Sequence, residues 1–285
     1  MFLRDVWFSY QSILSEELSK KNYFIFIRKI FGLLYKSLLK LIRHKFSINS
    51  TNLDNIENKN LSTLALDKLF IHFNCDKGSH CYFDKKKIVS HNYSVFYDKY
   101  FKNFKKDKIN LLELGSHEGK GLASFFFYFP NSDLVGANIN PFQMQFNSKR
   151  ISELFVDVSS SRSIYSLSDY LKKNPDIIID DASHNIKDIL TAFSILFKKL
   201  KSGGCYVIED IDQFKALKEL NPYSGESSPL EILKRINNKE DYTTSFIDDE
   251  SKKYLIENIK DIKIEKGSMK INEINVSDIA FVFKK

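Results

Sequence analysis

Ile109-Asn110-Leu111-Leu112-Glu113-Leu114-Gly115-Ser116-His117-Glu118-Gly119-Lys120-Gly121 is where the chain changes character. A short apolar run ends in a glycine-containing turn, and a helix-forming stretch follows, so backbone can approach a ligand closely at that turn. Beyond it, short apolar runs alternate with helical stretches, the pattern of a parallel sheet covered on both faces. Strands are expected at 109–114, 133–137, 154–156, 176–179 and 205–208, with helices near 119–128, 163–173 and 186–200. The runs 262–265 and 279–283, separated by a Gly-containing turn, read as a terminal antiparallel pair. The expected fold class is therefore α/β and Rossmann-like, a mostly parallel seven-stranded sheet with a terminal antiparallel strand. No internal repeat is present.

Upstream of this unit the chain reads differently. Residues 23–46 are rich in apolar side chains but are interrupted by Arg28, Lys29, Lys36, Lys40, Arg43 and Lys45, so they do not offer the roughly 20 uncharged residues a bilayer needs. At about 100° per residue, five of these cations fall within roughly a third of a helix circumference, opposite Ile27, Ile30, Phe31, Leu34, Leu38, Leu41 and Ile42. That is a basic amphipathic helix, suited either to docking on protein or to lying at an anionic membrane surface. The polar, Asn-rich stretch 47–62 reads as a linker. The expected organisation is an N-terminal helical extension with linker over 1–62, a helical segment over 63–108 and an α/β domain over 109–285.

Composition narrows the class. The chain has 285 residues with 43% hydrophobic and 14% aromatic content, which excludes a disordered or fibrous polypeptide. Its 43 basic and 36 acidic residues give a net charge of +7 spread along the chain, so no nucleic-acid partner is expected. Cys75, Cys81 and Cys205 form an odd set in a chain too large to need staples, which fits a reducing compartment, the cytoplasm by default. The first residues have no apolar core and cleavage site of a secretory signal.

At the first turn, Gly115 and Gly119 clear space for a nucleotide-like molecule, with Ser116 beside them, and Glu113 is placed to accept hydrogen bonds from a charged amino-acid end. Such a turn also serves NAD-binding folds. Two further strand ends agree with S-adenosylmethionine (SAM). Asn138 stands where an acidic residue normally binds ribose hydroxyls and keeps only a neutral hydrogen bond; Asp157 is placed to accept from an adenine amino group.

The strongest signal is Asp176-Ile177-Ile178-Ile179-Asp180-Asp181-Ala182-Ser183-His184, followed by Gly203-Gly204-Cys205-Tyr206-Val207-Ile208-Glu209-Asp210. Carboxylates at the C-terminal ends of two neighbouring parallel strands repel one another in a partly dry crevice unless a cation or proton neutralises them. Asp181, Glu209 and Asp210 are hard oxygen ligands suited to Mg²⁺, and Asp180 belongs to the cofactor side of the same crevice. His184, three residues beyond Asp181, is a candidate catalytic base for a metal-polarised hydroxyl, Asp181 acting with it; alternatively it is the first residue of a helix capped by Ser183 or Asn185.

These runs resemble the metal-dependent sugar O-methyltransferases of macrolide biosynthesis, the mycinamicin-type family, whose motif reads Asp-Asp-Gly-Ser-His where Ala182 stands here. Between residues 66 and 101 the chain is similar to that family's preceding segment: Asp76-Lys77-Gly78, with Cys75 in place of Thr, leads to His91, Tyr93 and Tyr97 near the substrate. The resemblance covers residues 66–210 and implies a class I SAM-dependent methyltransferase fold, Mg²⁺ held by Asp181, Glu209 and Asp210, His184 as base, and a homo-oligomer. It implies a sugar or glycan acceptor; the basic helix at 23–46 suits a lipid-linked one, met at the inner face of the membrane.

Other readings carry less. His72, Cys75, His80 and Cys81 lack the paired spacing of a zinc site, and neither Ser116 nor Ser183 lies in a Gly-x-Ser-x-Gly elbow. A silent glycan- or membrane-binding module that kept the fold would explain Asn138, His117 in the glycine loop and the basic helix, and would be marked by SAM binding without methyl transfer. An NAD-dependent sugar enzyme leaves the acidic cluster unexplained.

Overall fold

The computed structural model describes residues 50–285 apart from 57, 141, 142, 221 and 224, together with the single positions 8, 11, 23, 27, 30, 31 and 35. The amphipathic helix expected over 23–46 lies largely outside the described residues. The principal strands are β1 (His80–Phe83), β2 (Lys86–Val89), β3 (Asn110–Leu114), β4 (Asp133–Asn138), β5 (Ile151–Phe155), β6 (Ile177–Asp180), β7 (Cys205–Ile208), β8 (Ile259–Lys266) and β9 (Asp278–Lys284). The principal helices are α1 (Leu66–His72), α2 (Ser94–Phe101), α3 (Lys120–Tyr128), α4 (Ser161–Tyr170), α5 (Ile186–Lys199), α6 (Pro229–Asn237) and α7 (Asp249–Asn258).

Seven strands form one sheet in the order β8-β9-β7-β6-β3-β4-β5. The pairs β3–β4, β4–β5, β3–β6 and β6–β7 are parallel, whereas β9 runs antiparallel to both β7 and β8. Strand alternation divides the side chains between two cores. Leu111, Ile177, Ile179, Cys205, Val207, Ile279 and Phe281 face α1, α2 and α3, among Phe70, Tyr97, Phe101 and Phe125. Leu112, Leu114, Ile178, Tyr206, Ile208, Ala280 and Val282 face the other way, against Ile189, Phe193 and Leu196 of α5 and Leu233 of α6. Burial on both faces is the reason these strands read as continuous apolar runs instead of alternating ones.

The order of strands places the ligand side. Strand order reverses between β3 and β6, one continuing the chain outward through β4 and the other returning on the opposite flank, and a crevice opens beyond the carboxyl ends there. Three features depart from the expected layout. The stretch read as a linker contains the fully buried Leu53, and Thr51–Asn52 pair in parallel with Phe146–Asn147. Within the segment read as helical, β1 and β2 form a hairpin between α1 and α2. Helices α6 and α7 occupy the long connection between β7 and β8, which carried no assigned element.

Candidate active site

A cavity of about 710 Å³ opens at the carboxyl ends of β3, β4 and β6. Its walls include Glu113, Gly115, Ser116, Asn138, Asp157, Asp181 and His91, and β1 and β2 form its rim. The turn after β3 is shaped by Gly115 and Gly119, both in the left-handed region at φ +80° and +81°. A Cβ on Gly115 would lie 1.9 Å from the Asp181 carbonyl oxygen, so the two strand-end loops touch only because no side chain is present. The Gly115 amide donates to Ala137 O at 2.8 Å, and Asp181 N donates to Leu114 O at 3.0 Å, fixing the three strand ends around one crevice.

At the end of β3 and in the turn after it, two buried polar atoms lack a partner among the described residues, Glu113 Oε2 and Ser116 Oγ. Burial pushes the Glu113 carboxyl up to about 7, against the lowering influence of the Lys77 ammonium. Asp157 lines the cavity, and its Oδ1 accepts from Ser159 N at 3.0 Å and Ser159 Oγ at 2.6 Å. Asn138 also lines it and donates from Nδ2 to Asn140 O at 3.3 Å. Asp180 differs from the expected cofactor contact. As the last residue of β6 it shares a face with Ile178, and its Oδ2 accepts from the Tyr206 hydroxyl at 3.1 Å, with burial pushing it up to about 7. It is not among the residues lining the cavity.

Beyond the strand ends lies the acidic group. Asp181 Oδ1 is 3.6 Å from His184 Nε2, and Asp210 Oδ2 is 3.9 Å from the same nitrogen. Ligand atoms of Asp181, His184 and Asp210 lie within 4.8 Å of one another, a spacing that could hold a metal ion. His184 and Asp210 both have left-handed backbones, φ 55° and 51°, a strain that non-glycine residues carry where surrounding structure imposes it. Asn185, not Ser183, caps α5, its side chain accepting from Lys187 N at 3.0 Å, while Ser183 donates to Asp188 Oδ2 at 2.7 Å. His184 therefore stands just outside the helix, with its ring turned to the carboxylates.

Glu209 is held differently from Asp181 and Asp210. Its carboxylate accepts from the Tyr97 hydroxyl and, through Oε2, from Lys77 Nζ at 2.6 Å. The same ammonium lies 2.5 Å from Asp181 Oδ2 and 3.7 Å from Glu113 Oε1. Burial alone would discharge Lys77, but Asp181 and Glu209 hold its ammonium well above the ordinary lysine range. Tyr93 donates to Asp210, and His91 Nδ1 lies 3.1 Å from Asp210 Oδ1. Burial would raise the Asp210 carboxyl, and the His91 contact reverses that, leaving it below its usual range. Tyr93 and Tyr97 sit four residues apart at the start of α2, so they stack on one helix face and meet the adjacent carboxylates of 210 and 209 in turn. Both tyrosines are fully buried, and only His91 of the three expected acceptor residues lines the cavity.

Lys77 is the residue that sequence reasoning passed over. It stands in the Asp76-Lys77-Gly78 run, but its charge partners are 104 and 132 positions away. A lone lysine before a glycine carries no local sign of such a role.

The fold and the cavity define a class. The sheet and its ligand crevice have the architecture of class I SAM-dependent methyltransferases, and the chain resembles the methyltransferase MycE of the mycinamycin biosynthetic pathway, solved in complex with Mg, SAH and mycinamycin VI. The TM-score is 0.59 at 20% identity, covering 78% of this chain and 54% of that one. Among curated proteins, the chain is 30% identical over 128 residues to the 8-demethyl-8-alpha-L-rhamnosyl tetracenomycin-C 2'-O-methyltransferase of Streptomyces olivaceus, covering 42% of this chain and 33% of that protein. It is 28% identical over 138 residues to the mycinamicin VI 2''-O-methyltransferase of Micromonospora griseorubida, covering 46% and 34%. It is 27% identical over 161 residues to the L-olivosyl-oleandolide 3-O-methyltransferase of Streptomyces antibioticus, covering 52% and 37%. The resemblance read from the sequence is thus borne out, although the matched region spans only about a third of the length of these relatives. No family model matches the chain.

Proposed function

We propose that this protein is a SAM-dependent, Mg²⁺-assisted O-methyltransferase acting on a sugar hydroxyl of a glycan or glycosylated metabolite. The observation that carries the reading is the junction of two half-sites at one crevice. The glycine-shaped turn, where Glu113 Oε2 and Ser116 Oγ lack a partner among the described residues, lies beside Asp181, and Asp181 both lines the cavity and belongs to the cluster with His184 and Asp210. The names of two curated relatives, O-methyltransferases of a rhamnosyl tetracenomycin and of an olivosyl oleandolide, support the acceptor class.

In this reading Glu113, Ser116, Gly115 and Gly119 receive the amino-acid end of SAM, with Asn138 at the ribose and Asp157 at the adenine. Asp181, Glu209 and Asp210 would hold the metal, with Lys77 tied to the first two of these carboxylates. A divalent cation there supplies the charge that lowers the pKa of an acceptor hydroxyl. His184 Nε2 would take the proton of the acceptor hydroxyl as that oxygen receives the methyl group from bound SAM, and His91 and Tyr93 keep Asp210 ionised and oriented. We also propose the division into 1–62, 63–108 and 109–285, assembly as a homo-oligomer, and a cytoplasmic protein that touches the inner face of the membrane through residues 23–46. Among the described residues no helix is long and apolar enough to cross a membrane, and Tyr23, Ile27, Phe31 and Tyr35, spaced four apart, are exposed.

Calorimetric titration of SAM with Mg²⁺ and with chelator, on the wild type and on Asp181→Ala, tests the proposal. Tight SAM binding by both proteins, with Mg²⁺ bound by the wild type only, supports it and directs a screen of glycan acceptors. Absence of SAM binding under every condition sinks it.

A further inference from the structure

We propose that the β1–β2 hairpin is a membrane-contacting finger that seats the mouth of the cavity on an anionic lipid surface. The hairpin is an excursion from the core. His91 N donates to Asp76 O at 3.0 Å, Asn92 N to Gly78 O at 2.9 Å and Ser94 N to Lys77 O at 3.0 Å, so the chain leaves and returns at one point. Its tip is the two-residue turn Asp84-Lys85, with φ of 47° and 63°, the left-handed pair that closes a tight hairpin.

Pairing sets His80 opposite Val89, Cys81 opposite Ile88, Tyr82 opposite Lys87 and Phe83 opposite Lys86. One face therefore carries Cys81, Phe83, Lys86 and Ile88, and the other His80, Tyr82, Lys87 and Val89. Cys81 is buried toward the domain, but Phe83 is 68% exposed, Val89 70%, Tyr82 46% and Ile88 43%. A two-stranded ribbon is marginal in water, and apolar side chains bare on both faces make it more so, so this element needs a partner. The neighbouring charge says which. Lys85, Lys86 and Lys87 are consecutive and exposed at the tip, and among the described residues none reaches a carboxylate within ion-pair distance. Aromatic and aliphatic side chains beside clustered cations match the boundary between acyl chains and anionic headgroups.

The same residues that would enter lipid, Tyr82, Phe83, Ile88 and Val89, line the cavity that contains Gly115 and Asp181. Seating them on a bilayer brings the cavity mouth to the surface where a lipid-linked sugar is presented. That last step rests on the proposed methyltransferase function; the lipid contact does not.

Flotation of the full chain with phosphatidylcholine vesicles, with and without one-quarter phosphatidylglycerol, tests the inference. The wild type is expected to bind the anionic vesicles at least tenfold more tightly than the neutral ones. Phe83→Ser with Val89→Ser, and separately Lys85→Gln with Lys86→Gln and Lys87→Gln, are each expected to lose at least tenfold. Unchanged thermal melting checks the fold of both variants. A wild type that ignores anionic vesicles overturns the inference. So do hairpin variants that bind as the wild type does while Ile27→Ser with Phe31→Ser loses binding, which would leave the N-terminal helix as the contact. Failure of SAH to bind the wild type bears on the methyltransferase reading alone, because vesicle binding is read without it.

Discussion

Lys77 is a buried cation shared by three carboxylates, and its removal leaves Asp181 and Glu209 facing each other without compensation. Lys77→Met is expected to cost about 3 kcal/mol in chemical denaturation at neutral pH, partly recovered as pH falls, because burial already pushes the Glu209 carboxyl well above its usual range. Glu113 gives the opposite kind of signal. Its folded pKa of about 7 lies above the ordinary 4.5, so the folded state binds the proton more tightly than the unfolded one. The stability it contributes is complete below pH 4.5 and is lost as pH rises through 7. Melting temperatures of the ligand-free protein should decline over that window, and Glu113→Gln should flatten the decline; an unchanged slope would assign it to other groups. The acidic residues were legible because carboxylates that end apolar strands are conspicuous in any reading. The function of Lys77 was not, since only the folded chain brings it to Asp181 and Glu209. Asp180 and Asp181 look equivalent in sequence, and only strand alternation separates them, sending one to Tyr206 and the other to the crevice.

Strands buried on both faces announce themselves, and β3, β4, β6 and β7 lie within one residue of where their apolar runs end. The hairpin did not, because its turn is Asp-Lys in place of the Asn-Gly or Asp-Gly that marks a left-handed pair. Helix α6 did carry a signal that went unread. Ser228-Pro229-Leu230-Glu231 is a capping box, with Ser228 Oγ accepting from Glu231 N at 3.2 Å and Glu231 Oε2 accepting from Ser228 N at 2.9 Å. Ser228→Ala is expected to lower unfolding free energy by about 1 kcal/mol in urea while leaving SAH affinity unchanged. A loss of SAH binding in that variant would mean that α6 supports the cavity, a role its packing against α5 does not suggest.

The molecule as a unit couples its ligands to its stability. If SAH binds the folded state only, a concentration a hundredfold above its dissociation constant should add about 2.7 kcal/mol to the unfolding free energy, readable as a rise in melting temperature. Asp181→Ala should keep the SAH increment and lose any further rise from Mg²⁺. The order of the sheet has a consequence of another kind. Strand β9 follows every other described strand in the chain, yet it lies inside the sheet, between β7 and β8. While the chain is being synthesised, β7 therefore waits with an open hydrogen-bonding edge, and β8 has no sheet to join until positions 278–284 have left the ribosome. Such an edge is a template for pairing with other chains. Completion of this sheet is thus expected to wait for positions 278–284 and to depend on whatever shields the β7 edge in the interval, so that ribosome-stalled chains in which residue 278 has not emerged should be far more sensitive to protease than those in which the whole of β9 has emerged.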